Sequence, residues 1–161
     1  MPYIFRNYSD SYPKLFEDVK GKIQKLSSDK LEIEHIGSMA VKGLGGKGII
    51  DVSIGIRNWG QAKEILKILK KIGFRHFYSI ERGDLFVSTR KLCGEGDYHV
   101  HISRIGTKKY ARTIAFRDFL SQNLFEAKKY QEAKKMIFKK CGGDRKLYKR
   151  LKNKYFLNLN Y

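Results

Sequence analysis

The sequence predicts an α/β (α+β) fold, a mixed β-sheet flanked by helices with a basic helical layer at the C-terminal end. The first observation is the order of patterns, since helical and strand-like spacings alternate up to about residue 105 and only helical spacing follows. The second is composition, because 42% of the 161 residues are hydrophobic, enough to build a core. The third is charge: the formal net charge is +18, and from Arg104 to Tyr161 there are 17 Lys and Arg against four Asp and Glu.

The first half of the chain contains two predicted helices and two predicted strands. Apolar residues at helical spacing predict a helix over 8–26, and strict alternation predicts a short strand over 31–36. After a glycine-rich segment, the run 49–56 is almost entirely apolar, as expected of a buried strand, although one aspartate interrupts it. A regular apolar stripe predicts the next helix over 58–72, and the glycine that follows it is a typical helix end.

The second half contains three strand-like runs and then three helices. The strands are predicted over 74–78, 85–90 and 98–104, because turn residues separate three short runs rich in aromatic and β-branched side chains. Helical spacing resumes after Gly106 and is interrupted by a Gly-Gly pair. The predicted helices cover 108–121, 123–140 and 144–156.

These elements are expected to form a single domain over 1–161, with a sheet core at 1–105 and helices packed on it at 106–161. Two cysteines, Cys93 and Cys141, are too few and too far apart for a disulfide framework or a CxxC metal site, which indicates a reducing compartment. No apolar run approaches the ~18–20 residues of a membrane helix, and the start of the chain lacks a signal peptide's apolar region. We therefore expect a soluble, cytoplasmic protein with no membrane partner.

The glycine-rich segment and the strand after it carry the first candidate chemistry. Gly37 permits a tight turn and a close approach of backbone to ligand, and Ser38 begins a possible helix N-terminus that would suit phosphate oxygens. Lys47 would add a positive charge. Asp51 interrupts a buried strand, where a carboxylate is costly unless it pairs or binds a metal ion such as Mg²⁺. Alternatively, the loop only connects two strands and Asp51 caps a neighbouring element.

The second candidate is the pair His99 and His101, whose spacing places both imidazoles on one face of a strand. They would bind a transition metal, or one would serve as a general base. The alternative is that they pack in the sheet as structural residues. His35 lies on the apolar face of its strand and is expected to be a core residue with satisfied hydrogen bonds, and His76 is expected to be structural.

The third candidate is Arg117, which would reach an anionic ligand or form a structural salt bridge. Its neighbour Asp118 points to a different side of the helix and need not pair with it. The basic C-terminal helices suggest RNA, DNA or a polyphosphate ligand, and the alternative is a solvated lysine-rich face.

These pieces occur together in a known family. The sequence resembles the GrpB family of the DNA-polymerase-beta-like nucleotidyltransferase superfamily, and the resemblance extends over nearly the whole chain. It rests on four blocks: YIFRNYSDSYPKLFEDVKGKI (3–23), HIGSMAVKGLGGKGIIDVSIGI (35–56), YHVHISRIGTKKYARTIAFRDFL (98–120) and GGDRKLYKRLKNKYF (142–156).

The resemblance implies a nucleotidyltransferase-like mixed sheet and a set of site residues. In active superfamily members a Gly-Ser turn holds nucleotide phosphates, and three carboxylates bind two metal ions. Gly37 and Ser38 match the turn, and Asp51 matches the first carboxylate. Ser53 takes the second position, where it supplies no carboxylate. His99 or His101 lies where the third acidic ligand is expected.

The resulting expectation is a metal-dependent nucleotidyltransferase that uses a nucleoside triphosphate, Mg²⁺ or Mn²⁺, and a small acceptor. Asp51 would hold the metal ion with His101, while His99 or His101 would take the acceptor proton. Phosphates would be bound by a separate set of residues, namely Gly37, Ser38, Lys47, Arg82 and Arg117. Two alternatives remain: a non-catalytic module that binds nucleotide or RNA through the basic helices, and a hydrolase or phosphotransferase using the histidine pair and one metal ion.

Overall fold

Five helices and five strands are formed by the residues that the computed structural model describes, which are 4–80, 84–89 and 96–157. The helices are α1 (Ser11–Leu26), α2 (Trp59–Lys71), α3 (Lys108–Gln122), α4 (Leu124–Cys141) and α5 (Arg145–Leu157), with a 3₁₀ turn at Ser38–Ala40. The strands are β1 (Glu32–Ile36), β2 (Ile50–Ile56), β3 (His76–Ile80), β4 (Asp84–Ser88) and β5 (Tyr98–Arg104). The predicted mixed sheet with flanking helices is confirmed.

The strands form one sheet in the order β1-β2-β5-β4-β3. β2 and β5 run parallel at its centre, and every other neighbouring pair is antiparallel. Parallel neighbours need a long connection, which here contains α2, β3 and β4. The central parallel pair therefore brings together residues that lie about fifty positions apart in the chain.

One face of the sheet is apolar and carries the main core. Alternation along β2 turns four fully buried side chains to this face: Ile50, Val52, Ile54 and Ile56. α1 and α2 cover them with buried aromatic and aliphatic residues such as Phe16, Ile23 and Leu69. These side chains form the larger of the two hydrophobic clusters in the described chain. Each large aliphatic side chain that is removed from water contributes ~1.5–3 kcal/mol to stability.

The opposite face of the sheet is polar, and α3 docks on it through hydrogen bonds. The Tyr110 hydroxyl donates to Glu32 at 2.9 Å, and Arg117 donates to Glu34 at 2.6 Å. Arg117 also donates to Asp118 at 2.8 Å, so the expectation that these neighbours need not pair is wrong. The arginine side chain is long enough for its guanidinium to contact both Asp118 on the same helix and Glu34 on β1.

His35 is half-buried and packs against the edge of the core, and its Nε2 is not satisfied, contrary to the expectation of a core histidine with satisfied hydrogen bonds. Its ring stacks on Phe16 with centroids 4.6 Å apart, and its Nε2 is buried without a hydrogen-bond partner among the described residues. Burial, together with the charge of Arg117, lowers the pKa of His35 to about 4 despite the opposing effect of Asp51. The imidazole is consequently a neutral packing residue at pH 7.

α4 and α5 close the polar side of the molecule. A second, smaller core joins the loop residues Val41 and Leu44 to α3 and α4 through Leu120 and Tyr130. Gly142 follows the last residue of α4, and its φ of 52° is the left-handed conformation that glycine adopts without strain. No helix within the described part of the chain is both long and apolar enough to cross a membrane.

Candidate functional site

The candidate site lies at the centre of the polar face, where β2 and β5 run side by side. The register pairs Asp51 with His99 and Ser53 with His101, so all four side chains share one face. Asp51 Oδ1 lies 3.3 Å from His99 Nδ1 and 4.0 Å from His101 Nε2. Phe86 of β4 packs edge-on against both imidazoles, with ring centroids 4.8 and 5.2 Å away. The aspartate is thus held beside two oriented rings.

Gly37 makes room for the Asp51 carboxylate. A β-carbon on residue 37 would lie 2.4 Å from Asp51 Oδ2, far inside van der Waals contact, and the φ of Gly37 is 76°. Only glycine adopts this backbone and leaves this space without strain. The sequence predicted that Gly37 permits a close approach, and the group that approaches it is the site aspartate.

The charge states of Asp51 and His101 follow from their surroundings. Burial raises the pKa of Asp51, but the hydrogen bond from His99 and the charges of His99, His101 and Lys152 outweigh it and leave that pKa below its ordinary value. Burial, with the nearby cations, lowers the pKa of His101 to about 4 against the attraction of Asp51. At pH 7 the site therefore contains an ionised aspartate and a neutral His101.

Lys134 of α4 is the least expected member of the site. Only 4% of it is exposed, and its Nζ donates to Ser38 Oγ and, at 2.8 Å, to the Gly45 carbonyl. The ammonium lies 5.1 Å from the centroid of the Tyr130 ring. Burial, with the charges of Lys152 and Lys47, lowers the pKa of Lys134 to about 7. A buried lysine with two neutral acceptors is an electrostatically costly arrangement.

The glycine-rich loop packs around this lysine. A β-carbon on Gly46 would lie 3.1 Å from Lys134 Nζ, and one on Gly45 would lie 2.5 Å from the Phe5 ring. Arg6 and Gly46 exchange two backbone hydrogen bonds, of 2.6 and 2.9 Å. These glycines therefore admit the lysine and the N-terminal segment, while the predicted helix start at Ser38 is only the 3₁₀ turn Ser38–Ala40.

A pocket of about 640 Å³ opens in front of Asp51, between the sheet and α5. Ser38, Phe86, His99 and His101 line its sheet side. Its cationic lining comes from the loop, α4 and α5: Lys47, Lys134, Arg145, Lys146, Lys149 and Lys152. Asp51 is the one acidic side chain that lines it among the described residues. This concentration of positive charge suits a polyanionic ligand.

A second, smaller compartment of about 370 Å³ lies on the other side of Asp51, under α3. Ser38, Asp51, His101 and Lys152 line both compartments, so the two meet at the aspartate. The smaller one is otherwise lined mainly by hydroxyl-bearing and cationic side chains: Ser53, Ser103, Tyr110, Thr113, Lys109 and Arg112. Two compartments that share one carboxylate are an arrangement suited to two reactants.

The structure brings most of the predicted site residues together. Gly37, Ser38, Lys47, Asp51, His99 and His101 all contact or line these compartments. Arg117 lines neither compartment, because it is committed to Glu34, Asp118 and the His35 carbonyl. It fits the structural salt bridge that the sequence left open. Arg82 lies outside the described residues.

Two site lysines were not predicted as site residues: Lys134 was expected only as part of a basic helix, and Lys152 lies in the same basic C-terminal region. A signal for Lys134 was present, since the buried stripe of α4 runs through Ala127, Tyr130 and Cys141 and this lysine falls within it. A charged residue inside an apolar stripe is the helical counterpart of an aspartate inside an apolar strand. Lys134 in α4 is therefore marked in the sequence in the same way as Asp51 in β2.

The donor set does not match a two-metal centre. Ser53 replaces the second carboxylate that the superfamily pattern implies, and imidazoles stand in place of the third. Among the described residues no three acidic, histidine or cysteine side chains converge in a way that could hold a metal ion. Asp51 is already hydrogen-bonded to His99 and packed on Gly37, with lysine charges acting on it. These residues do not fit the pair of divalent ions.

Comparison with known families identifies the chain. A protein-family model described as GrpB protein matches residues 3–160. This chain belongs to the GrpB family. The family predicted from the four sequence blocks is therefore confirmed.

Curated relatives of this GrpB-family chain are distant in sequence. The glutamate-rich protein GrpB of Alkalihalophilus pseudofirmus is 26% identical over 160 residues, which cover 94% of this chain and 90% of that protein. The UPF0157 protein BH1888 of Halalkalibacterium halodurans is 28% identical over 131 residues, covering 81% of this chain and 66% of that protein. The match to the UPF0157 protein YqkA of Bacillus subtilis spans only 38% of that protein. Some relatives are thus considerably longer than the region they share with this chain.

Solved structures show the fold. The conserved protein GrpB from Enterococcus faecalis superposes with a TM-score of 0.77 at 22% identity, covering 95% of this chain and 99% of that one. The Cid1 poly(U) polymerase bound to MgATP gives a TM-score of 0.52 at 14% identity, covering 80% of this chain and 45% of that one. The predicted nucleotidyltransferase-like fold is therefore confirmed, at identities that speak to fold alone.

Proposed function

We propose that this GrpB-family chain binds a nucleoside triphosphate in the larger compartment and transfers its nucleotidyl group to a small acceptor in the smaller one. The observation that carries the proposal is the Asp51–His99 pair: His99 lines the cationic pocket, and Asp51 lines both that pocket and the second compartment. Structural neighbours of the same fold include a poly(U) polymerase bound to MgATP and a cytoplasmic RNA terminal U-transferase. They support the reaction class but not the acceptor.

The phosphates would lie against the lysines. Lys47 and Lys152 line the larger compartment, and Lys134 adds a buried charge beside Ser38. Ammonium groups held at fixed positions stabilise the negative charge that develops on a leaving pyrophosphate. The pocket volume of about 640 Å³ lies within the range of sites for small molecules and cofactors.

The proton transfer would use the aspartate and histidine as a dyad. Asp51 orients His99 through Nδ1 and stabilises the imidazolium that forms when the ring takes a proton. His99, which lines the larger compartment, would remove the proton from an acceptor hydroxyl that extends past Asp51 into that compartment. The acceptor oxygen would then form a bond to the α-phosphorus as the bond to pyrophosphate breaks. His101, which is neutral at pH 7, would line the acceptor side without competing for that proton.

The test is transfer from nucleoside triphosphates labelled at the α-phosphate to a panel of small hydroxyl compounds, with pyrophosphate release measured in parallel. We expect His99→Gln to lower the transfer rate by roughly 10²–10⁴-fold while nucleotide binding persists, as for removal of a general base. Release of pyrophosphate at the wild-type rate by His99→Gln would refute the assignment. Failure of all four nucleoside triphosphates to bind the folded protein would refute the nucleotide site itself.

A second candidate function is nucleic-acid binding by α4 and α5. The observation that favours it is a set of exposed basic side chains outside the pocket, such as Lys139, Lys140 and Arg150. Binding through phosphate contacts would weaken steeply with salt because each contact releases counterions. Reversing Lys139 and Lys140 to Glu should then abolish retention of single-stranded RNA in a gel, and equal retention by this variant would reject the function.

A further inference from the structure

We infer that the larger compartment binds its polyphosphate without a divalent metal ion, because lysine ammonium groups supply the positive charge that metal ions supply in active members of the superfamily. The inference rests on the proposed nucleotide site and concerns the form of ligand that this site takes. The ligand class is an unmetallated triphosphate, such as free ATP or inorganic tripolyphosphate.

The two compartments offer few ligands for a metal ion. Asp51 is the one acidic side chain lining either compartment among the described residues, and Ser53, at the position of a second carboxylate, is buried and neutral. Asp51 Oδ1 faces His99, and Oδ2 faces Gly37. Mg²⁺ requires near-ideal octahedral oxygen coordination, and the protein offers it a single carboxylate that is already engaged.

The same space has a surplus of fixed positive charge. Up to about pH 7 Lys134 places its ammonium in the wall beside Ser38, and Lys47 and Lys152 line the same compartment. Each ammonium repels a divalent cation and attracts a phosphate oxygen. Because Lys134 is buried, its charge is poorly screened by water and salt, and its attraction for a phosphate is stronger than that of an exposed lysine at the same distance.

Free ATP and its magnesium complex differ in charge. Free ATP carries two more negative charges than its magnesium complex, so the lysine cluster distinguishes them in favour of the free form. The like charge of Asp51 opposes either anion and would be an advantage only if it held a metal ion. Metal-free binding and metal-dependent binding therefore predict opposite effects when Asp51 loses its charge.

The experiment is isothermal titration of the intact chain with ATP and with inorganic tripolyphosphate, each in EDTA and in excess Mg²⁺. We expect ATP to bind in EDTA, and excess Mg²⁺ to weaken binding by roughly tenfold through loss of the two charges. Asp51→Asn should bind free ATP at least as tightly as wild type. Lys134→Met should weaken binding by roughly 10- to 100-fold, as for loss of one charge-assisted contact, whereas Lys128→Met on the exposed side of α4 should match wild type.

Several results would overturn the inference. ATP binding that requires Mg²⁺ and disappears in Asp51→Asn would establish a metal site at Asp51 and leave the proposed nucleotide function intact. Tripolyphosphate binding in EDTA with no binding of any nucleoside triphosphate would uphold the metal-free anion site and reject the nucleotide function. Absence of binding by both compounds in EDTA, with circular dichroism showing folded protein, would reject the metal-free site.

Discussion

Replacing the buried Lys134 by Met should stabilise the protein at neutral pH while weakening its ligand binding. In the folded chain burial lowers the pKa of Lys134 from 10.5 to about 7. Because the unfolded chain keeps the ordinary pKa, this difference costs the wild type ~4 kcal/mol of unfolding free energy at pH 7. Met removes that cost but loses two hydrogen bonds, to Ser38 and Gly45, worth ~1 kcal/mol each. The net expectation is a gain of about 1–3 kcal/mol.

The pH dependence separates the buried charge from the lost hydrogen bonds. Between about pH 7 and pH 10.5 the unfolded chain carries a proton on Lys134 that the folded chain lacks, so wild-type stability rises with pH. The variant has no such group, and the hydrogen-bond loss does not change with pH. The stability of Lys134→Met relative to wild type should therefore fall by ~3–4 kcal/mol between pH 7 and pH 10, so that the variant becomes the less stable protein at pH 10.

Urea denaturation of both proteins at several pH values measures this difference. Lys128→Met is the matched control, because Lys128 is exposed on the same helix, and its effect should stay within about 0.5 kcal/mol at every pH. If the difference between Lys134→Met and wild type does not change with pH, burial does not lower the pKa of Lys134, and the electrostatic account of the pocket is wrong.

Three other variants test separate parts of the structure. Gly37→Ala should lower the free energy of unfolding by ~1–3 kcal/mol, because its β-carbon meets Asp51 and its φ is positive, and an unchanged urea midpoint would contradict that packing. Arg117→Met should destabilise the chain by a similar ~1–3 kcal/mol, because it leaves the carboxylates of Glu34 and Asp118 without this partner. ATP affinity should stay within about twofold of wild type, and a larger loss would show that Arg117 binds phosphate. Wild-type stability should fall as pH drops from 6.5 towards 4, because His101 takes up a proton at a higher pH in the unfolded chain than in the folded chain. His101→Gln should show a shallower decline in the free energy of unfolding over the same pH range.

Most secondary structure of this chain could be predicted from its sequence. The period of two in β2 separates Asp51 and Ser53 from the apolar residues between them, and the period of about 3.6 in α2 defines one buried stripe. Such patterns arise from backbone geometry over a few residues, so they can be read locally. The same local reading placed His99 and His101 on one strand face, and the resemblance to the GrpB family connected them with Asp51.

The composition of the site could be predicted only in part, because its decisive contacts join residues far apart in the chain. Lys134 meets Ser38 across 96 positions, and Arg117 turns to Glu34 across 83. The lysine of the buried stripe is visible in the sequence, but its acceptor is not. Likewise, whether Arg117 binds an anionic ligand or pairs with a carboxylate depends on which strand α3 packs against, and the sequence alone does not show that.

The sequence by itself therefore determined the elements, the two faces of the sheet and the excess positive charge of the C-terminal helices. Only the tertiary structure decided which charges enter the pocket and which stabilise the fold. The reason is physical: periodicity states that a side chain is buried, whereas the free energy of a buried charge depends on the groups that surround it. Those groups come from α4, α5 and the glycine-rich loop, and they meet Asp51 only when the chain is folded.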